Sequence, residues 1–393
     1  MATSLKFYIV LTILLILSSP IPSFSHAEET ANSRRQSPKP FKTIYAFGDS
    51  YTDTGNTHSN TGPSGFMFVS DPPYGSTFFH RPTNRYSDGR LVIDFVARAL
   101  SLPFLPPFLG KNADHRGGVN FAVAGSTAIA HSFFVRNNMT LNITPQSLRT
   151  QLAWFDKFLR GKGCDDQSTT ARECESVFGD ALIWVGEIGA NDYAYSIGSS
   201  VPTKTIQKLA INSVNGFLET LLKKGAKYIV VQGLPPTGCL TLSLYLAPSD
   251  DRDNLGCVGS ANKQSCTHNA ALMSKLNVLR KQFPKAIIVY ADYYNAYVDI
   301  IKNGARKYGF KEMYRACCGY GGGQYNFDYF NACGSPSSKS CRNPSQYINW
   351  DGAHLTEAMN EAMANAFVNG TYSQPPFRSL LGKKKKKTMS TSG

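Results

Sequence analysis

The sequence predicts an α/β protein in which a parallel sheet is covered by helices on both faces, and three observations carry that reading. Short runs starting near Thr43, Arg116, Asp180, Tyr228 and Ala286 are aliphatic, aromatic and β-branched without polar alternation, as strands buried on both faces must be. Amphipathic stretches lie between these runs, so strand and helix alternate along the chain. The first three runs end in polar, Gly-bearing turns, and in a parallel sheet such turns gather on the rim where ligands bind.

Taken in order, residues 1–27 read as a signal peptide. Lys6 supplies the positive charge, Phe7 to Leu17 is an apolar core too short to span a bilayer, and Ser25-His26-Ala27 offers small residues for cleavage. The polar tract Glu28 to Pro40 carries no stop-transfer pattern, so the expectation is a secreted chain without a stable membrane anchor, disordered over 28–41 and folded as one domain over 42–370. Thr43 to Phe47 is the opening strand, and Gly48 to Asn56 the turn after it. Thr57 to Ser87, rich in Gly, Pro and Asn, reads as a long loop, and Asp88 as the N-cap of a helix running to Leu100. The Arg116 to Ser126 segment repeats the plan of strand and Gly turn, as does Asp180 to Asp192. Helices are expected over about Pro145 to Leu159, Thr203 to Lys223, Cys266 to Phe283, Ala296 to Tyr308 and Thr356 to Val368, with further strands at Tyr228 to Val231 and Ala286 to Ala291. Residues 371–393 read as a disordered basic tail.

Composition narrows the function. With 42% hydrophobic and 17% charged residues the 393-residue chain is globular, and five of its formal +14 charges sit in the single run Lys383 to Lys387. Secretion makes nucleic acid an unsuitable partner; the lysine run reads first as a solvated tail, with attraction to polyanionic extracellular polysaccharide the minor alternative. It also places the nine cysteines in an oxidising compartment, where Cys164 with Cys174, Cys239 with Cys257, and the group Cys317, Cys318, Cys333 and Cys341 are the neighbourhoods for bridges, with at least one thiol left over. A zinc site in the last group is discounted, because it has no Cys-x-x-Cys pair and no nearby His. Sequons at Asn138, Asn142 and Asn369 agree with a glycosylating pathway.

Two turns carry the chemistry. Gly48-Asp49-Ser50 bends sharply at a strand exit and presents the Ser50 hydroxyl, although Ser in such a turn is also what a helix N-cap looks like. Asp351-Gly352-Ala353-His354 places a carboxylate one turn from an imidazole, so that one ring nitrogen is held while the other faces outward, as a general base requires. His58 and His80 are reserve candidates on the same rim, and His268 reads as the start of a helix. A serine attacking an acyl carbon creates an oxyanion, for which the Ser50 amide, the Gly125 amide and the Asn191 side chain are the candidate donors, with Asp192 bracing the loop.

The blocks Phe47-Gly48-Asp49-Ser50 through Asn56, Gly118 through Gly125, Gly189-Ala190-Asn191-Asp192, and Asp351 through Thr356 occur in this order, and together they resemble those of the GDSL esterase/lipase family of SGNH hydrolases, secreted plant type. The resemblance spans about Lys42 to Asn369. It implies a flavodoxin-like three-layer α/β/α sandwich, a nucleophile at Ser50, oxyanion donors at Ser50, Gly125 and Asn191, and a base at His354 held by Asp351. Tyr51 stands where the family name has Leu, a change that touches the pocket wall and not the reaction. The expected activity is hydrolysis of a lipid, acetylated-sugar or phenolic ester, on a small molecule or polysaccharide, without metal or organic cofactor. An acyltransferase on the same residues and a non-catalytic glycan-binding relative are the alternatives. The aromatic tract Tyr314, Tyr320, Tyr325, Phe327, Tyr329 and Phe330 supplies either a substrate wall or rim packing.

Overall fold

The computed structural model describes residues 40–58, 68–111, 113–139, 141, 144–164, 174 and 177–381. The signal peptide, Asn142 and the Lys383–Lys387 run lie outside them. The central sheet contains β1 (Thr43–Phe47), β2 (Gly118–Asn120), β3 (Ala181–Val185), β4 (Tyr228–Gln232) and β5 (Ile287–Ala291), all parallel and in the spatial order β2-β1-β3-β4-β5. This is the flavodoxin-like order, with a switch point where β1 is flanked by β2 and β3.

The period-two alternation of the strands builds two separate cores. Tyr45 and Phe47 of β1, Ile183 and Val185 of β3, and Ile229 and Val231 of β4 point to one face, where the helices Leu148–Gly161, Thr203–Lys223 and Gly259–Gln282 cover them. Ile44, Ala46, Leu182, Trp184 and Val230 point to the other, under the helices Val92–Ala99, Tyr293–Tyr308 and Glu357–Val368. Trp184 and Phe47 are wholly buried, and burial of such a side chain is worth about 1.5–3 kcal/mol. Three layers follow directly from a sheet that has no polar face.

Several boundaries differ from the sequence reading, each for a physical reason. The first helix begins at Val92, where the Asp94 carboxylate returns to the Leu91 amide, and Asp88 caps a different helix by accepting from the Glu357 amide at 2.7 Å. The helix expected from Cys266 begins at Gly259, and His268 lies in its buried middle rather than at its start. Phe41, placed just outside the expected domain, is wholly buried against Tyr228. At the other end the fold runs past residue 370. Ser373–Gln374 pairs antiparallel with β5, and Phe377 and Leu380 are buried, so the residues to 381 are part of the domain. Three short helices, His131–Arg136, Ala190–Tyr195 and Thr241–Leu246, were not expected.

Beside the main sheet, β6 (Glu312–Ala316) pairs with β9 (Tyr347–Asn349), β7 (Cys318–Gly319) pairs with β8 (Lys339–Ser340), and Ser373–Gln374 is β10. Disulfides Cys317–Cys341 and Cys318–Cys333 bind this region together, while Cys164–Cys174 and Cys239–Cys257 occupy the expected neighbourhoods. Cys266 is free and exposed. Among the described residues no helix is long and apolar enough to cross a membrane.

The long loop before the first helix is anchored by a buried ion pair. Arg85 meets both oxygens of Asp94 at 2.9 Å, with the Asp94 side chain fully enclosed. Removing one partner strands the other charge in the core. Asp94→Ala is therefore expected to lower the unfolding free energy by about 3–5 kcal/mol, read from the midpoint of urea denaturation. A midpoint equal to that of the parent would show that Arg85 escapes to solvent.

Candidate active site

Four loops converge at the carboxyl ends of β1, β2, β3 and β9. The Gly48–Asn56 turn leaves β1, and its shape is held by side chains folding back on backbone amides. The Tyr51 amide donates to Asp49 Oδ1 at 3.0 Å, and Asp53 accepts from the amides of Gly55, Asn56, Thr57 and Ala124. The last of these ties the first turn to the one bearing Gly125. Gln151 joins the same turns, taking the Gly48 amide at 3.0 Å and donating to the Gly48 carbonyl at 2.7 Å and Ser126 Oγ at 2.9 Å. Every one of these groups is buried, so each hydrogen bond left unmade would carry the full cost of desolvation.

The structure brings the sequence-predicted Ser50, His354 and Asp351 into one line. His354 Nε2 stands 2.8 Å from Ser50 Oγ, and His354 Nδ1 stands 2.9 and 3.0 Å from the two Asp351 oxygens. Asp351 Oδ1 also accepts from the amides of Ala353 and His354 at 2.8 Å, and its Oδ2 accepts from the Tyr74 hydroxyl at 2.9 Å. Burial by itself would push the Asp351 carboxyl up. The attraction of His354 and the hydrogen bonds from its ring and from the two amides reverse this and hold the carboxyl below its ordinary value. An aspartate that stays charged at a buried site is suited to fix an imidazole tautomer.

Aromatic rings hold the imidazole from two sides. The Tyr86 ring lies 4.5 Å from that of His354 and the Tyr51 ring 5.7 Å away, while the Tyr51 hydroxyl donates to the Ala353 carbonyl at 2.6 Å. Tyr74 and Tyr86 come from the segment read as a featureless loop, and no motif marked them. The reserve histidines are placed elsewhere: His58 and His80 are exposed, meeting Asn84 and the Ser76 carbonyl. His268 is buried, with Tyr193 Oη 2.9 Å from its Nδ1.

Asn191 bridges the turns that carry the other two candidate oxyanion donors, Ser50 and Gly125. Gly125 adopts φ +72°, a conformation that costs a residue without Cβ little, and the Tyr195 hydroxyl pins its carbonyl at 2.9 Å. Asn191 opens the short helix Ala190–Tyr195, and both its amide hydrogens face protein acceptors, Asp49 Oδ2 at 3.1 Å and the Ser126 carbonyl at 3.0 Å. An oxyanion would therefore share an N–H already oriented by the protein. Asp192 braces the loop, accepting from the Ala128 and Ile129 amides at 2.8 Å.

Three buried acids beneath the rim resist ionisation. Desolvation lifts Asp192 to about 7 against the pull of its two amide donors, and it raises Asp49 and Glu187 as well. A carboxyl whose pKa is higher folded than unfolded binds its proton more tightly in the native state, so the stability it confers is present in acid and lost as pH rises through the folded value. Asp351, shifted the other way, destabilises only below the ordinary carboxylate range. The melting temperature is therefore expected to fall from about pH 5 to about pH 8, measured by calorimetry at constant ionic strength. A melting temperature rising over that interval would contradict the retention of protons by Asp192 and Glu187.

The apolar rim borders the turn that carries His354. A Cβ on Gly352 would lie 2.1 Å from the Phe327 ring, and Phe327 in turn packs edge-on against Tyr245 at 5.3 Å. Of the aromatic tract, Phe327 thus touches the turn that carries His354, whereas Tyr329 and Phe330 are exposed.

Comparison with known proteins agrees with this geometry. The family model described as GDSL-like Lipase/Acylhydrolase matches residues 44–367. A GDSL esterase/lipase of Arabidopsis thaliana is 57% identical over 353 residues, covering 88% of this chain and 90% of its own length. Acetylajmalan esterase 2 of Rauvolfia serpentina is 42% identical over 337 residues, covering 84% of this chain and 90% of its own length.

Proposed function

This chain belongs to the GDSL-like lipase/acylhydrolase family and hydrolyses ester bonds, and from that premise we propose that it is a secreted serine carboxylester hydrolase working through an acyl-enzyme on Ser50. The observation that carries the reading is the 2.8 Å contact between Ser50 Oγ and His354 Nε2. His354 takes the hydroxyl proton as the oxygen attacks the ester carbonyl, and Asp351 stabilises the imidazolium that results. The amides of Ser50 and Gly125 and the side chain of Asn191 receive the oxyanion. The imidazolium then protonates the departing alkoxide. Water, activated by the same ring, releases the acid and restores Ser50.

The substrate is a small-molecule or polysaccharide ester of a lipid, acetylated-sugar or phenolic kind. The naming of a relative as acetylajmalan esterase supports a short acyl group, and the apolar rim at Phe327 and Tyr245 supports an apolar alcohol or acyl portion. Four disulfides support folding in an oxidising compartment and with it secretion to the cell exterior. Asn138 and Asn369 are exposed, as glycan acceptors must be.

The test pairs a serine-directed phosphonate with a panel of short-acyl, long-acyl, acetylated-sugar and hydroxycinnamoyl esters. Stoichiometric labelling at Ser50, with turnover of at least one ester class, is expected. Failure of the phosphonate to label Ser50 would return the chain to a binding role, and transfer of the acyl group to added alcohols in preference to water would make it an acyltransferase.

A further inference from the structure

Behind the Ser50 turn lie two acids that the proposed reaction does not use. Asp49 is 1% exposed and Glu187, from the end of β3, is wholly buried. The two carboxyls are neighbours that act directly on each other, and Glu187 Oε2 is buried without any other partner. Neither has an Arg or Lys partner among the described residues. The charged and titratable groups facing them are Asp53, Asp192 and His354, with the hydroxyls of Tyr51 and Tyr293 from the neighbouring elements. Glu187 Oε1 accepts the Ala190 amide at 3.1 Å, and no N–H reaches Oε2. Asp49 receives two N–H groups, from the Tyr51 backbone on Oδ1 and from Asn191 on Oδ2. A hydrogen bond between two carboxyls needs one proton, and the better-solvated partner is the one that stays charged. Asp49, with its two donors, is the acceptor. Glu187 is the donor.

We propose that Glu187 is a positioning residue of the active site: protonated, it donates to Asp49 and keeps that carboxylate seated against the Asn191 side chain, so that the Asn191 N–H groups are aimed before substrate arrives. The chain of contacts runs from Glu187 through Asp49 to Asn191, without Glu187 touching the substrate. Two negative charges in this buried space would repel, withdraw Asp49 Oδ2 from its 3.1 Å contact and free the amide to rotate. A donor aimed in advance stabilises an oxyanion without reorganisation at the moment of attack. The inference rests on the esterase reading and adds a residue to it.

The proposal predicts that charge matters less than donation. Glu187→Gln keeps a neutral donor of the same shape, whereas Glu187→Met keeps the volume and loses the donor. With an ester that the wild type turns over, Glu187→Gln should hold kcat within about threefold, while Glu187→Met should lower kcat by about 10- to 100-fold with little change in KM. Placed on an Asn191→Ala background, Glu187→Met should cost less than about threefold further, because the group it acts through is gone. A Gln variant as impaired as the Met variant would overturn the proposal. So would a Met variant as active as the wild type, or a Met loss that persists at full size without Asn191. If Glu187→Met does not fold, Asp49→Asn takes its place: it removes the anionic acceptor, so kcat should fall in the parent and not on the Asn191→Ala background, and a fall in both backgrounds would overturn the proposal. Wild-type turnover that Ser50→Ala abolishes upholds the esterase reading whatever the Glu187 variants do, and a wild type with no turnover on any ester overturns both.

Discussion

Ser50→Ala is expected to lower kcat by about 10⁶-fold while the melting temperature stays within about 1 °C of the parent's. The two halves of that expectation come from different parts of the site. Chemistry depends on the Ser50 oxygen, whose one side-chain hydrogen bond among the described residues is to His354 Nε2 at 2.8 Å. Stability depends on the turn around it, and that turn is held by Asp49, Asp53 and Gln151 through backbone groups that the substitution does not touch. Steady-state turnover of the best ester in the panel, with calorimetry on the same sample, reads both. Turnover within a factor of about ten of wild type would remove Ser50 as nucleophile.

The second large effect belongs to the base. His354→Ala should also reduce kcat by about 10⁵- to 10⁶-fold, and the Ser50→Ala/His354→Ala pair should be no worse than either alone, since nucleophile and base act as one unit. Unlike Ser50, His354 does structural service. Its ring fills the space between Tyr86 and Tyr51, and it is the partner that draws Asp351 below its ordinary value. Its loss leaves a buried carboxylate with only two amides and the Tyr74 hydroxyl, so a destabilisation of about 1–3 kcal/mol is expected in addition. Losses in the two single variants that multiply in the double variant would show that the residues act in separate steps.

The sheet and the residues that meet at the site could be read from the sequence because each leaves a local mark. β1, β3, β4 and β5 are buried on both faces and are therefore apolar except at Thr43 and Gln232, at their ends. Ser50, Asp351 and His354 sit in turns that only Gly and short polar residues can make. What stayed hidden depends on partners far away in the chain. Asp88 looks like a cap for the helix next to it, but its acceptor is used by the Glu357 amide, 269 positions on. The half of the Gly259–Gln282 helix up to its middle buries Asn262, Ser265 and His268, so apolar periodicity gives no sign of it. β10 is two residues long and exists only because the edge of β5 was open to it. Tyr74 and Tyr86 lie in a segment without any repeat, and their proximity to the triad is purely tertiary. Glu187 alone among the overlooked residues had left a trace, as an acid embedded in the apolar stretch from Ala181 to Ile188.

Ser50 and His354 stand 304 positions apart, and the strand and buried side chains that finish the β5 edge come later still. Until the stretch bearing His354 has been added, the emerging polypeptide holds the proposed nucleophile without its base. The delay is set by the order of residues along the chain, and on the proposed mechanism it ends when His354 is delivered. On the proposed mechanism, a product that ends before His354 would be inert towards esters.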